Sequence, residues 1–388
     1  MTILLYIALT YLLITSGILY LNTQDFKPVQ PTPQQYFDEQ APMVSVCIPA
    51  RNEANSIARC VRSAVEQQYP NVEVIVLDDG STDGTTDILA DLSKEFSNTL
   101  TVLSGEPKPD DWLGKSWACQ QLSQQAKGDI LIFIDADTWL EPRATAKVVR
   151  SMGQDVVDFV TVWPMQKLGS FWERVVIPII YFGLLTLLPS RYVYRPPKWI
   201  PSFIRQEVGV LFAAACGQFL AFKRSAYDGI NGHQSVKNEV VEDVALAKNI
   251  KSAGYSMKMY HGAGTISCRM YESAEELWEG FRKNFFAGFD YNVPLFTGMA
   301  LLQFITFILP ALALPFLLVW GSLLQILLAL LAVVIMFIQR FIVDQWFNWS
   351  TGYGLMHPLA IGWFEALGVR VLRDYFSDET ARWKDRAV

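Results

Sequence analysis

Hydrophobic positions along the chain fall into three zones. Residues 1–24 carry no charged side chain, and MTILLYIALTYLLITSGILYL is long enough to cross a hydrocarbon core of about 30 Å as one helix. A cleaved signal peptide would need a basic start and a small-x-small site, and no Lys or Arg precedes Lys27. An uncleaved anchor over residues 1–24 is expected, with the first basic residues after it placing the next domain on the cytoplasmic side. Residues 25–43, rich in proline, read as a linker.

Residues 44–290 alternate strand and helix patterns. VSVCIPA, VEVIVLDD, TLTVLSG and DILIFIDAD read as strands at residues 44–50, 72–79, 99–105 and 129–137. Helical spacing fills 54–68, 85–96 and 115–125 between them. Such alternation predicts an α/β fold built of βαβ units around a mostly parallel sheet. Ligands of such sheets bind at the carboxyl ends of the strands, where three of these runs end in polar or charged residues.

No charge occurs between Asp290 and Arg340. That length fits two spanning helices over 291–343, folded back at Trp320-Gly321-Ser322, with Pro310 and Pro315 bending the first. The remainder, 344–388, holds a weaker apolar segment at 353–372 with Glu365 and Arg370, then a basic tail. Two readings stand for that segment: interfacial or re-entrant, or a further full span. Residues 175–188 are apolar but short, and Arg191, Tyr192, Arg195, Lys198 and Trp199 follow. A buried core helix and an interfacial element near 175–200, where a lipid hydroxyl reaches the globular domain, both fit.

Composition narrows this picture. Hydrophobic residues are 51% and charged residues 18%, so disorder is excluded and a bilayer is the natural place for the apolar excess. A net charge of −6 argues against nucleic-acid binding through bulk positive charge. Five widely spaced cysteines give no zinc or disulfide pattern and read as buried reduced thiols.

Three acidic clusters carry the candidate chemistry. Asp78-Asp79 in LDDGSTDGT suits hydrogen bonds from a ribose or base, or else an Asx-rich turn with Asp83 or Thr85 capping the next helix. Asp135-Ala136-Asp137 ends a very apolar strand. Hard oxygens at that spacing suit Mg²⁺ or Mn²⁺ bridging to a diphosphate, with Asp137 on the metal and Asp135 on the ribose or the metal's water. Glu242-Asp243 opens a helical pattern, which favours the helix dipole; Asp243 also suits a general base taking a proton from a hydroxyl.

The four motifs in order, VSVCIPARNE, LDDGSTDGT, DILIFIDAD and VVEDVALA, resemble the family-2 glycosyltransferases with the Rossmann-like GT-A fold. WLGKSWACQQL, CGQFLAF, VVEDVALA and RMYESAEELWEGFRKN further resemble its membrane-anchored branch acting on carotenoids and other terpenoids, which includes diaponeurosporenoate and hopanoid-associated glycosyltransferases. The resemblance implies that Pro49, Arg51 and Glu53 line the base and ribose and that Asp79 bonds the base. It further implies Lys115 and Asp135 near the donor, Asp137 on the metal and Asp243 as catalytic base. Gln218, Glu242, Arg269 and Arg282 are candidates for the acceptor or diphosphate side; the two arginines equally suit surface or headgroup pairing. No Trp follows Arg282, unlike the Gln/Arg-x-x-Arg-Trp motif of processive relatives.

The implied reaction is inverting transfer of a sugar from a nucleotide-diphosphate donor, a UDP-sugar by the resemblance, to a hydroxyl or carboxyl of an apolar lipid or terpenoid acceptor. The expected location is the cell membrane, with several spans and a cytoplasmic catalytic domain. Three rivals stand: transfer to a polyprenyl phosphate, which needs no base; glycolipid or polysaccharide synthesis; and a catalytically silent membrane scaffold.

Overall fold

The computed structural model describes residues 1–32 and 40–377, and the backbone alone of 382–383 and 386–387. Part of the expected linker and Lys384 of the expected basic tail lie outside the described residues.

In chain order, helix α1 spans Thr2–Asp25, followed by β1 (Val44–Ala50), α2 (Ile57–Val65), β2 (Val72–Asp78), α3 (Thr85–Glu95), β3 (Leu100–Ser104) and α4 (Gly114–Gln125). Next come β4 (Ile130–Ile134), β5 (Thr138–Leu140), α5 (Ala144–Asp155), β6 (Phe159–Trp163), β7 (Met165–Gln166), α6 (Phe171–Leu187), α7 (Ser190–Tyr194) and α8 (Arg205–Leu211). Then follow β8 (Phe219–Lys223), α9 (Arg224–Gly229), α10 (Glu242–Ser252), β9 (Met257–His261), β10 (Ile266–Cys268) and α11 (Ala274–Asn284). The last helices are α12 (Val293–Gln303), α13 (Leu309–Trp320), α14 (Leu323–Trp346) and α15 (His357–Phe376). These elements form two compact units.

One unit, residues 25–167 and 190–270, is built on a seven-stranded sheet of order β3-β2-β1-β4-β8-β6-β9. The expected parallel strands β3, β2, β1 and β4 form one half. Their near-continuous apolar runs follow from burial on both faces: Val44, Val46, Ile48, Val74, Val76 and Ile132 are all fully buried. The α/β class and the mostly parallel sheet agree with the expectation. β8, however, runs antiparallel to both β4 and β6, and no signal read from the sequence announced it. A second sheet of three short strands, β5-β10-β7, adjoins these elements in sequence.

The other unit comprises residues 1–24, 168–189 and 271–388. Thr2–Asp25, Val293–Trp320, Leu323–Trp346 and Thr351–Phe376 are each long and apolar enough to cross a membrane. α1 is apolar all round, yet one stripe is buried: Leu5, Ala8, Leu9, Leu12, Thr15, Leu19 and Asn22. Polar side chains pin this stripe. Gln339 Nε2 donates to Leu12 O at 2.8 Å, and Asn22 Nδ2 donates to the otherwise unpaired carbonyls of Leu185 and Leu188 at the end of α6. A π-turn over Phe304–Ile308 directly precedes Pro310, which accounts for the break between α12 and α13. α6 opens on a capping box, in which Ser170 and Glu173 each satisfy the other's backbone N–H. Val175, Val176, Ile177, Tyr181, Phe182 and Leu185 of α6 are buried, as a core helix requires.

Candidate functional site

Parallel strands that start together also end together. Ala50 pairs with Asp78, and Asp78 with Ser104, so the residues that follow β1 and β2 share one sheet edge. Asp78 answers the turn reading. Its carboxylate accepts from Ser81 N at 3.0 Å and from Thr86 Oγ1 at 2.5 Å. Helix α3 is capped neither by Asp83 nor by Thr85: Gly84 is the N-cap, at a φ of 96° that a side chain would strain. Asp83 instead braces the turn, accepting from Ala54 N and from Thr85. Asp79 is the acid that follows the strand, buried at the edge with its own N–H on Ala50 O.

Arg51 sits at the acidic turn. Its Nη1 donates to the carbonyls of Asp79 at 2.5 Å and Gly80 at 3.2 Å, which braces the acidic turn through backbone. Pro49 lies within β1 opposite Leu77. The backbone N–H of Glu53 donates to Thr85 Oγ1, and its carboxylate adds negative charge near Asp137.

Antiparallel β8 builds the rest of the site. Ile134 pairs with Phe219, so the residues just before β8 lie beside those just after β4. This sets Cys216, Gly217 and Gln218 next to Asp135, Ala136 and Asp137. Lys115, from the first turn of α4, bridges two acids: its Nζ lies 2.8 Å from Asp135 Oδ1 and 2.9 Å from Glu242 Oε1. Asp243 is held at both oxygens, Oδ2 by Gly217 N at 2.6 Å and Oδ1 by Val244 N at 2.8 Å. A Cβ on Gly217 would stand 3.0 Å from Lys115 Nζ and 3.2 Å from Asp243 Oδ2, so any larger residue would press on both charged groups.

The electrostatics follow from burial and crowding. Burial, then the Asp135 and Glu53 charges, push Asp137 up to about 8. Burial, then Glu242, push Asp243 up to about 7, against the pull of Lys115 and two backbone N–H donors. Burial works against the Lys115 charge, but the Asp135 and Glu242 carboxylates outweigh it and hold its pKa well above the ordinary lysine range.

Among the described residues no three His, Cys, Asp or Glu side chains group as a cation site made by protein alone. The residues nevertheless fit a divalent cation shared with a phosphate ligand. Asp137 Oδ1 is buried and has no hydrogen-bond partner, a costly state for a carboxylate oxygen unless a ligand completes it. Mg²⁺ is commonly held by one or two carboxylates, substrate phosphates and waters. Asp137 would supply the oxygen, while Asp135 is engaged by Lys115.

The structure thus gathers Lys115, Asp135, Asp137, Gln218, Glu242 and Asp243. Arg282 belongs to the other unit, where its guanidinium pairs with Asp374 at 2.7 Å and Glu279 at 3.1 Å. Arg269 directly follows β10 in the site's own unit. Sequence reasoning missed Gly217, Gln166 and Cys268. Gln218 Nε2 donates to Cys268 Sγ at 2.9 Å, and Gln166 Nε2 donates to Gln218 Oε1 at 2.8 Å. The one available signal was CGQFLAF, where polar residues lead straight into a buried apolar strand.

All five cysteines are free and buried, as expected. In the same unit, Trp199, Phe203 and Leu211 are 74%, 79% and 70% exposed. α8 packs on α10: Gln206 Nε2 donates to Ser252 O at 2.7 Å, and a Cβ on Gly209 would stand 3.0 Å from Lys251 Cε. An exposed apolar segment therefore rests on the helix that begins with Glu242 and Asp243.

Residues 45–230 match the family model described as Glycosyl transferase family 2, and Glu242 and Asp243 lie past the end of that match. A protein named 4,4'-diaponeurosporenoate glycosyltransferase from Staphylococcus haemolyticus (strain JCSC1435) is 27% identical over 270 residues, 66% of this chain and 64% of the relative. The protein of that name from Staphylococcus aureus (strain USA300) is 27% identical over 248 residues, 63% of this chain and 61% of the relative. The chain thus spans a little under two thirds of the length of these relatives. Among solved structures, a mannosyltransferase from Pyrobaculum calidifontis in complex with GDP-Man and Mn²⁺ matches 97% of this chain and 99% of its own. The TM-score is 0.54 and the identity 19%, a likeness of fold. The family expected from the order of the acidic motifs is thus the one whose model residues 45–230 match.

Proposed function

We propose that this chain moves a sugar from a nucleotide-diphosphate donor, probed first as a UDP-sugar, to a hydroxyl or carboxyl group of an apolar lipid, with inversion at the anomeric carbon. The observation that carries the reading is the single lysine joining two motifs: Lys115 holds Asp135 at 2.8 Å and Glu242 at 2.9 Å, so the acids of a donor site and of a base site share one charge network.

Roles follow from the chain's own groups. Asp79 meets the nucleotide at the end of β2. Asp137 offers its unpartnered oxygen to Mg²⁺ or Mn²⁺. A bound divalent cation neutralises charge on the departing diphosphate. Asp243, fixed by two backbone N–H groups, keeps a lone pair on each oxygen for the acceptor's proton. A proton affinity near neutrality suits a general base. A carboxylate acceptor arrives already ionised and needs no base. The relatives are named for diaponeurosporenoate, a carboxylate, which keeps that acceptor class in the reading.

The lipid side rests on four helices apolar enough to cross a membrane and on the exposed Trp199, Phe203 and Leu211. With Lys27 the first base after α1, the catalytic unit faces the cytoplasm of a multi-pass membrane protein. The test is product analysis: membranes holding the full chain, a labelled sugar nucleotide and extracted lipids. A labelled glycolipid that forms only with the active chain supports the reading. Label appearing only in a water-soluble product or in polymer overturns it.

A further inference from the structure

Glu242 and Asp243 are neighbours at the start of α10, yet they stand in different surroundings. Glu242 is buried, at 8% exposure, while Asp243 keeps partial access to solvent. Two adjacent carboxylates at such a place do not ionise together cheaply, because water screens their repulsion poorly. Lys115 answers that repulsion. Its Nζ lies 2.9 Å from Glu242 Oε1, and it reaches Asp135 Oδ1, just past β4, at 2.8 Å.

The same ammonium stands close to Asp243. A Cβ on Gly217 would lie 3.0 Å from Lys115 Nζ and 3.2 Å from Asp243 Oδ2, so the two groups are no further apart than those distances together. The remaining titratable groups around the start of α10 carry no charge or point elsewhere. The thiols of Cys119 on α4 and Cys216 beside Gly217 are pushed up by burial and stay neutral. Burial pushes His233 down to about 3, and its Nδ1 hydrogen-bonds the Tyr227 hydroxyl at 2.7 Å. Lys248 and Lys251 lie more than a turn further along α10, where α8 meets Lys251 and Ser252. Lys258 of β9 pairs with Asp155 at 2.7 Å.

We infer that Lys115 is a positioning residue for the base: its ammonium neutralises buried Glu242 and so leaves Asp243 beside it ionised, in the form that takes the acceptor's proton. The inference rests on the proposed role of Asp243 as general base, and it adds that Glu242 and Lys115 control the proton affinity of that base. The buried acid carries the countercharge, and the accessible acid meets the acceptor. Removing a cation within about 4–6 Å of a carboxylate raises its proton affinity by about 1–3 pH units.

The experiment titrates Asp243 directly, in the full chain in one detergent with chelator present, as the carboxylate infrared band that Asp243→Asn removes. The wild-type midpoint should lie at about pH 7. Lys115→Met should move it up by about 1–3 units, and Lys115→Arg, which keeps the charge, by less. Glu242→Gln should move it down, and Lys115→Met combined with Glu242→Gln should return it toward wild type. Single-turnover transfer from a labelled UDP-sugar to extracted lipid alcohols should follow the same order, with the Lys115→Met deficit shrinking as pH rises. A wild-type midpoint in Lys115→Met, or in Glu242→Gln should the lysine variant fail to fold, overturns the inference while leaving Asp243 as base. A Lys115→Met deficit that is equal at every pH also overturns it, since that is a donor-binding or packing effect. If Asp243→Asn transfers to an alcohol at the wild-type rate, the base reading itself is wrong, and this inference falls with it.

Discussion

Gly217 donates its backbone N–H to Asp243 Oδ2 at 2.6 Å, so a residue two places before a buried strand holds the acid at the start of a distant helix. The same glycine leaves room for Lys115, whose Nζ would stand 3.0 Å from an added Cβ. Gly217→Ala should keep the fold, because the group it meets is the end of a flexible side chain. It should lower transfer by up to about 10²-fold, the cost of misplacing catalytic groups by an ångström or less. Turnover and thermal unfolding of the same preparation separate these effects. Full activity would mean that the Lys115 bridge is dispensable.

Asp243→Asn keeps the shape and removes the proton affinity. With a hydroxyl acceptor it should cut single-turnover transfer by about 10²–10⁴-fold and leave donor affinity nearly unchanged. A carboxylate acceptor should feel much less. In the wild type, Asp243 acts as base only when deprotonated, so rate rises with pH through about 7 and levels off above it. A rate independent of pH between 5.5 and 8.5, a range set roughly by a transition near neutrality, would remove Asp243 from the proton transfer.

Asp137 and Asp243 have folded-state pKa values raised to about 8 and about 7. The folded chain therefore binds protons more tightly than the unfolded chain there. Their contribution to stability is fully present below the unfolded carboxylate pKa of about 4 and is lost as pH rises through the raised values. In chelator, the unfolding temperature should fall across that window. Mn²⁺ should restore it, increasingly so toward higher pH, because the cation competes with the proton on Asp137. Asp137→Asn should abolish that pH-dependent recovery.

Arg340 and Asp344 form an ion pair at 2.8 Å inside the helical unit, at 0% and 1% exposure. Arg340→Ala strands a buried carboxylate and should cost about 3–5 kcal/mol. A paired Arg340→Met, Asp344→Leu chain should be close to wild type in stability. Denaturation in detergent distinguishes the two, and a mild Arg340→Ala would show that Asp344 is neutral or hydrated.

Phe203 is 79% exposed on the segment leading into α8. If it enters the lipid interface, Phe203→Asp forfeits about 1.5–3 kcal/mol of apolar burial. Lipid-borne acceptor should then be used about 10–100-fold less well at low concentration, with donor affinity unchanged. Nitroxide-lipid quenching of a probe at Phe203→Cys, against one at the exposed Lys94→Cys, reads the same point directly, since the native cysteines are buried. Equal quenching at both positions would put this segment in water.

Much of the frame was legible before any coordinates. The four parallel strands, the helices between them and the apolar zones depend on periodicity and turn chemistry within about fifteen residues, which a sequence carries locally. The acids at the ends of β2 and β4 were legible for the same reason, since a strand end followed by Gly or Asp is a local pattern. What only the tertiary structure decided is which distant segments meet. β8 enters antiparallel beside β4, which brings Gly217 and Gln218 beside the residues that follow β4, and the start of α10 then meets Gly217 through Asp243. The register of β10 against β5 and β7 puts Cys268 beside Thr138 and Gln166, although more than a hundred positions separate it from either in the numbering. Arg51 reaches carbonyls of the acidic turn and Arg282 the Asp374 carboxylate, partners chosen by packing rather than by residue type. Strand register and ion-pair choice are set by the summed burial of whole faces, which no local window of sequence contains.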